Sequence, residues 1–593
     1  MLQDLEEANA FVVSLDAARS WFRYHRLFAG LLELELRRTE PAEAAGLHEL
    51  AATWFAGHGF GVEAIRHAQA AQDWGRAARM LADHWPSLHL DGQAATVHAL
   101  LAGFPAEACA ANVELAAVAA ADELARGSLE AAERYLGLAE RGSASVPAGR
   151  RGQLQMLLGI VRLLLARQSG NLPAVTEKAQ RLQALAEAQD AAQPSLGEEL
   201  RALALVSLGI AEVGAVRFDQ AEPHLEQGVT LARRIGRPYL EFTGLAYQVI
   251  AEFYRSFPRA AEHSMQAVEL AREHGWTDEP TAGIAYMILG SVLTWQGRTE
   301  EAEPWVQDAE RTVRADAEPA AALGVYLFRG VLELAQGRDA DAVAAFRATE
   351  RLARFLAAPH LLATAAQSFL VYALVRLGDS ERAEQALAEL GDKDRDRAGM
   401  RIAAAALRLA QHDPHAATAV LAPVLDGSAP VFWRALLAQA FLLEAIARDT
   451  LDDPAAAGQA VERALDLVEP DGALLWFLLH PVPGLLERQA RQRTAHAALI
   501  AEILDLLAGT GPAPPSTGRR PPLEALSYSE IRVLRYLPTN LSASEIAIEL
   551  SVSTSTVKTH MRNLYTKLGA HRRAEAIESA RALGLLAPSA YRR

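Results

Sequence analysis

One spacing constrains this chain more than any other feature: a turn residue followed by an Ala-rich amphipathic stretch recurs about every forty residues. The anchors are Gly127, Gly170, Gly214, Pro258, Gly297, Gly337 and Gly378, with looser copies at Asp413 and Asp453, and they stand 43, 44, 44, 39, 40, 41, 35 and 40 residues apart. A period of this length holds two helices of about 12 to 15 residues and two turns, so each unit reads as one helical hairpin. In the second helix of a unit a small residue precedes a larger one by about four positions. Examples are Ala131 and Tyr135, Ala221 and Leu225, Ala261 and Met265, Ala302 and Trp305, Ala342 and Phe346, and Ala383 and Leu387. Such pairs share one face: the small residue permits close helix approach and the large one fills the gap. A single hairpin cannot bury that face, so the copies must stack into a superhelix, whose concave surface suits a ligand or a partner.

This pattern resembles the tetratricopeptide class, although its period exceeds the usual 34 or so residues and no copy matches the full consensus. The expected repeat region is 96–508. Residues 1–95 are helical in pattern but follow a different spacing. They contain an apolar cluster of Trp21, Phe22, Tyr24, Leu27, Phe28, Leu31 and Leu32. A further hairpin is expected over Trp54, Phe55, Ala64, Ile65, Ala68, Trp74, Ala77 and Leu81, with its turn near Gln72 and Asp73. Residues 509–522 read GTGPAPPSTGRRPP, a proline-rich spacer that cannot continue a helix.

The spacer also divides the charge. The chain carries 58 Lys+Arg against 73 Asp+Glu, a net of -15, which by itself argues against a phosphate-rich partner. Residues 511–593 carry 12 Lys+Arg against 6 Asp+Glu, leaving 46 against 67 on residues 1–510. The split is therefore +6 on the tail and -21 on the body.

Within the tail, 523–588, helix start signals fall at close intervals. Ser527 with Glu530, and Ser542 with Glu545, match the S-x-x-E capping box ahead of helices at 529–537 and 544–550. Pro538, Thr539 and Asn540 interrupt the first helix. Ser551, Val552 and Ser553 form a short turn, after which Ser553 or Thr554 caps a third helix that runs to about Leu568 and ends at Gly569. A fourth is expected from Arg573 to Leu583. Two short helices joined by a three-residue turn make a helix-turn-helix. On the third helix Val557, Met561, Leu564 and Leu568 form one apolar stripe, while Lys558, Thr559 and Arg562 lie on an adjacent face. No acidic residue occurs between Ser551 and Ala574, as a surface facing phosphate requires.

Glu545-Ile546-Ala547, Ser553-x-x-Thr556-Val557-Lys558-x-His560, Lys567-Leu568-Gly569 and Arg573 closely resemble the DNA-binding domain of LuxR-type transcription regulators, over about 62 residues. The family commonly has Arg where this chain has Ser529 and Gly where it has Asn540. The resemblance implies a third helix in the major groove of double-stranded DNA, with base-edge contacts from Lys558, Thr559 and Arg562. Phosphate or positioning roles are implied for Ser553, Thr554, Thr556, His560 and Lys567. It further implies a homodimer on DNA, with Ala576, Ile577 and Ala580 as a candidate contact, and RNA polymerase as partner if the regulator activates.

Leu15-Asp16, Trp21, Arg23-Tyr24-His25 and Leu27-Phe28 are similar to the segment that follows the ATP-binding domain in the large MalT-like members of that family. The sequence contains no Gly-Lys dipeptide and hence no P-loop, so the ATP-binding domain is expected to be missing, whether by truncation or in a naturally short regulator. The expected fold class is all-α, a tetratricopeptide-like superhelix followed by a four-helix helix-turn-helix domain.

No nucleophile elbow, H-E-x-x-H pair or Cys/His metal set is present, and catalysis, cofactor and metal are not expected. With one cysteine, Cys109, no export signal and no apolar run approaching a membrane span, a cytoplasmic protein is expected. The functional expectation is a sequence-specific transcription regulator whose repeat array senses a small molecule or protein. The alternative is an interaction scaffold with a non-functional DNA-binding tail.

Overall fold

The computed structural model describes residues 11–14, 22–105, 107–169, 171–190, 194–313, 319–354, 361–431, 433–492, 494–508, 530, 533–534, 537, 543–550, 552–568, 570 and 572–582. Its architecture is helical, with one local exception. Val12–Ser14 (β1) and Phe22–Tyr24 (β2) pair antiparallel, Val12 opposite Tyr24 and Ser14 opposite Phe22. The helical pattern expected over residues 1–95 therefore includes a short ribbon, and the first helix among the described residues is Arg26–Thr39. The expected apolar cluster there does not close: Phe28 stacks on Phe11 at 5.2 Å, but Leu31 and Leu32 are 60% and 41% exposed. They follow Phe28 by three and four positions, on the same side of the helix, and stay exposed nonetheless. Trp21 lies outside the described residues. The second expected cluster forms in part: helices Gly61–Ala70 and Trp74–Leu90 bury Ala64, Ile65, Ala68, Ala77 and Leu81, while Phe55 and Trp74 are half-buried and Trp54, on the preceding helix Pro41–Gly57, is 46% exposed. Gln72 makes the turn with a left-handed backbone and Asp73 caps the second helix.

Two compact units divide the chain at residues 251 and 252, within the helix Pro238–Phe253. Unit 1 contains the first three repeat hairpins: Val113–Ala125 with Leu129–Gly142, Arg151–Gln168 with Leu172–Asp190, and Pro194–Gly214 with Phe218–Arg234. Pro238–Phe253 is followed by Phe257–His274. In unit 2 come Pro280–Trp295 with Thr299–Thr312, Pro319–Ala335 with Asp339–Ala353, and Leu361–Arg376 with Ser380–Ala388. Ala398–Ala410 with Pro414–Leu425, and Arg434–Thr450 with Pro454–Val468, complete the series.

The turns explain the spacing. Gly127, Gly297, Gly337 and Gly378 all have positive φ two residues before a second helix, the conformation glycine adopts without steric cost. Asp413 and Asp453 accept from the backbone N–H groups of Ala416 and Ala456, capping their helices after left-handed His412 and Asp452. In most second helices the small-then-large rule holds at a fixed offset: Ala132 and Leu136, Ala221 and Leu225, Ala302 and Val306, Ala342 and Phe346, Ala383 and Leu387 are all buried, whereas in Phe257–His274 the expected Ala261 and Met265 are half-buried and Ala260 and Ser264 are buried instead. In the first and third of these the buried residue lies one position beyond the expected Tyr135 or Trp305, which are half-buried beside it.

In unit 1 the left-handed turn position after Pro194–Gly214 is taken by Val216, at φ 60°. A β-branched residue is strained there. Val216→Gly is expected to stabilise unit 1 by about 0.5 to 1 kcal/mol, the relieved strain less the added freedom of the unfolded chain. A urea midpoint that falls would contradict that strain.

Beyond the last hairpin of unit 2 the chain turns back. Leu475–Leu479 lies among the first helices of the hairpins, and Leu475, Trp476, Phe477 and Leu479 are buried. Trp476 meets Trp295 edge-on at 5.3 Å and stacks on Phe369 at 5.8 Å. The Leu479 carbonyl accepts from Arg376 Nη1 at 2.9 Å and from the Tyr372 hydroxyl at 3.3 Å. Asp471 accepts from the Phe257 N–H at 3.1 Å and pairs with Arg434 at 3.1 Å. The inner face of unit 2 is thus lined by the chain's own residues. Among the described residues no helix is long and apolar enough to cross a membrane, and no group of three or more His, Cys, Asp or Glu is placed to hold a metal ion.

Candidate nucleic-acid interface

The tail builds its site from two small cores. Val533, Ile546, Ala547, Leu550 and Val557 form one, and Leu534, Leu537, Leu564, Leu568, Ala576 and Ala580 the other, with Met561 packed against both. The stripe Val557, Met561, Leu564 and Leu568 is therefore what fixes the third helix, Thr554–Lys567, on its neighbours. The second helix is Ala543–Glu549 and the fourth Arg573–Ala582, both within a residue or so of expectation. The turn between second and third helices is closed by the Val552 N–H donating to the Ala547 carbonyl at 3.0 Å. Ser527, Ser542, Asn540, Gly569 and the spacer 509–522 lie outside the described residues.

Ser553 is the cap of the third helix: its Oγ accepts from the Thr556 N–H at 3.1 Å and sits 2.7 Å from the Ser555 and Thr556 hydroxyls. Lys558, Thr559 and Arg562 are exposed side by side on the face away from the stripe. The Thr559 hydroxyl donates to the Ser555 carbonyl at 3.0 Å. Among the described residues neither Lys558 nor Arg562 makes an ion pair. Two uncompensated cations on an acid-free helix face leave a positive surface in a chain of net negative charge. Thr554, Thr556 and His560 are half-buried at the rim of that face.

Lys567 stands apart from this group. Its Nζ pairs with Glu530 Oε2 at 3.0 Å, with Lys567 19% and Glu530 4% exposed. Arg573 Nε donates to the Leu537 carbonyl at 2.9 Å, tying the fourth helix to the end of the first. Sequence reasoning singled out Lys567 and Arg573 as motif positions but not the framework they make with Glu530 and Leu537. No local periodicity signals a pair of residues 37 apart. The fourth helix also corrects part of an expectation: Ala576 and Ala580 are fully buried in the domain and present no surface to a second copy, while Ile577 is half-buried.

A helical-repeat array joined to a helix-turn-helix domain is the class this architecture defines. The profile described as "MalT-like TPR region" matches residues 158–488, more than half of the chain, and the chain belongs to that family. Residues 524–580 match "Bacterial regulatory proteins, luxR family", and residues 1–44 the "MalT winged helix domain", to which the ribbon and first helix correspond. The HTH-type transcriptional regulator MalT of Serratia proteamaculans is 25% identical over 98% of this chain and 66% of its own length. The serine/threonine-protein kinase PknK of Mycobacterium tuberculosis is 30% identical over 28% of this chain. Only 16% of that kinase is matched. Among solved structures, the apo form of the quorum sensor NprR from B. thuringiensis is 14% identical with a TM-score of 0.44, over 60% of this chain and 98% of that one.

Proposed function

We propose that the protein is a sequence-specific DNA-binding transcription regulator in which the helix Thr554–Lys567 enters the major groove. The observation that carries this reading is the exposed, acid-free face of Lys558, Thr559 and Arg562 on a capped helix held by the two small cores. Lys558 and Arg562 donate to base edges, guanine O6 and N7 being the matching acceptors, and the Thr559 methyl packs against thymine. Ser553, Thr554, Thr556 and His560 approach the phosphates beside that face, where the helix N-terminus adds its own attraction for anions. Lys567 acts by holding the helix through Glu530. The repeat array senses a ligand or protein partner, the DNA-bound form is a homodimer, and RNA polymerase is the further partner of an activator.

Selection of binding sites from random duplex DNA with the full chain tests this reading. A defined site is expected to emerge. Arg562→Ala is then expected to cost about 1 to 3 kcal/mol and relax preference at one base pair. Recovery of no common sequence, or a loss of equal size on every duplex, would overturn the assignment of Arg562 to base reading.

A further inference from the structure

Unit 1 contains an open cavity of about 640 Å³ between the two helices of the second hairpin and the end of the first. A space of this size accommodates a ligand of drug-like dimensions. Four cations stand in its wall: Arg151, Arg162, Lys178 and Arg181. None of the lining residues is acidic. Two carboxylates pair with three of these cations. Glu140 pairs with Arg162 at 2.8 Å, and Glu177 is shared by Lys178 at 3.2 Å and Arg181 at 2.8 Å. Arg151 is anchored on carbonyls, through Nε to Val146 at 3.0 Å and Nη2 to Ala144 at 3.3 Å, which leave its charge uncompensated. Four cations face two carboxylates in a body whose net charge is negative, so the cavity is a local positive well. Its floor is apolar, made by buried Leu154, Leu158 and Leu182.

Gly159, midway along Arg151–Gln168, points to the same conclusion from a different direction. Glycine weakens a helix interior and normally marks a close approach of a neighbour. That is its role at Gly290, where an added Cβ would stand 2.8 Å from the Val306 side chain, and at Gly330 against Phe346. At Gly159 a Cβ would meet only Leu182 and Leu185, at an ordinary 3.6 Å. Those two leucines line the cavity with Gly159, so the glycine opens onto the cavity wall without the tight neighbour found at Gly290 and Gly330. In unit 2, by contrast, the inner face is already filled by Leu475–Leu479.

We infer that this cavity binds a small amphipathic anion, an apolar body against Leu154, Leu158 and Leu182 with a carboxylate-type head held by Arg151, Arg162, Lys178 and Arg181. Its role as the sensing site rests on the regulator function proposed above; the binding itself does not. Titration calorimetry of the full chain with octanoate, 1-octanol and inorganic phosphate tests it. Octanoate is expected to bind once per chain, with the neutral alcohol and the bare phosphate at least about tenfold weaker, since both floor and rim are needed. Gly159→Met fills the cavity without changing charge or weakening the helix, and Lys178→Gln with Arg181→Gln removes two cations, one partly buried and one exposed. Each variant is expected to weaken octanoate at least about tenfold while the melting temperature stays within a few degrees. No octanoate binding, equal binding of octanol, or wild-type affinity in both variants would overturn the site. Duplex DNA binding is measured on the same samples. Octanoate binding without any change in DNA affinity upholds the site and removes its sensing role, whereas intact DNA binding with no octanoate binding removes the site and leaves the regulator reading standing.

Discussion

Replacing Lys567 with methionine is expected to unfold the C-terminal domain, although the residue lies on the same helix as the DNA-facing cations. Its ammonium pairs with a Glu530 carboxylate that is only 4% exposed, so the substitution takes the cation away from a buried charge. Breaking a pair of this kind costs about 3 to 5 kcal/mol, a large share of what a domain of this size has. Amide exchange in the helix Thr554–Lys567, followed in the full chain, is expected to quicken by about two to four orders of magnitude at 1.4 kcal/mol per tenfold. Glu530→Gln added to Lys567→Met is expected to restore most of the protection, because the buried carboxylate charge is then gone as well. Unchanged protection in the single variant would show that the pair does not hold the domain. DNA affinity of Lys567→Met should fall on all sequences alike, which separates it from Arg562→Ala.

The second large effect is expected in unit 2. Trp476 is 1% exposed and touches Trp295, Phe369 and Tyr372, residues from two different first helices of the repeat. Trp476→Ala removes that common contact and is expected to cost about 3 to 5 kcal/mol, most of it from the cavity left among rings that cannot collapse together. Thermal unfolding of unit 2 should drop by roughly 6 to 20 °C, at about 2 to 4 °C per kcal/mol for a unit of this size. Trp305→Ala, at a half-buried ring, should cost clearly less. Equal losses at the two tryptophans would contradict the placement of Leu475–Leu479 as the inner core.

The hairpins were legible because their information is local. A left-handed turn demands glycine or a tolerant residue, and a cap demands a short polar side chain, so Gly297, Gly337, Gly378, Asp413 and Asp453 mark the turns in the sequence itself. The face of each second helix was legible only to within one residue. At 100° per residue Tyr135 and Leu136 both border the packed face, and the neighbours decide which is buried. The stripe Val557, Met561, Leu564 and Leu568 and the cap Ser553 were read correctly for the same local reason.

What the sequence did not disclose is long-range. The apolar run from Ala473 reads only as a stretch too short for a membrane, because a segment buried on every side has no periodicity to show where it packs. Its Leu479 carbonyl reaches back to Tyr372 and Arg376, 107 and 103 residues earlier, and the preceding Asp471 to Phe257, 214 residues earlier. Leu31 and Leu32 look like core by composition yet face outward, and Glu530 looks like a capping residue yet also holds Lys567. The cavity of unit 1 is invisible in sequence because its four cations come from two helices whose side chains meet only after folding.

The central claim is that the tail of an acidic, helical-repeat protein binds duplex DNA through the third-helix cations. The affinity of the full chain for a duplex, measured from about 50 to 200 mM salt, tests it most directly. Binding is expected to weaken steeply and linearly in log–log form as salt rises, because phosphate contacts release counterions. Lys558→Ala combined with Arg562→Ala should bind at least about tenfold less tightly throughout, with the amide protection of Thr554–Lys567 unchanged. No binding at the lowest salt, or full affinity in the double variant, would contradict the claim.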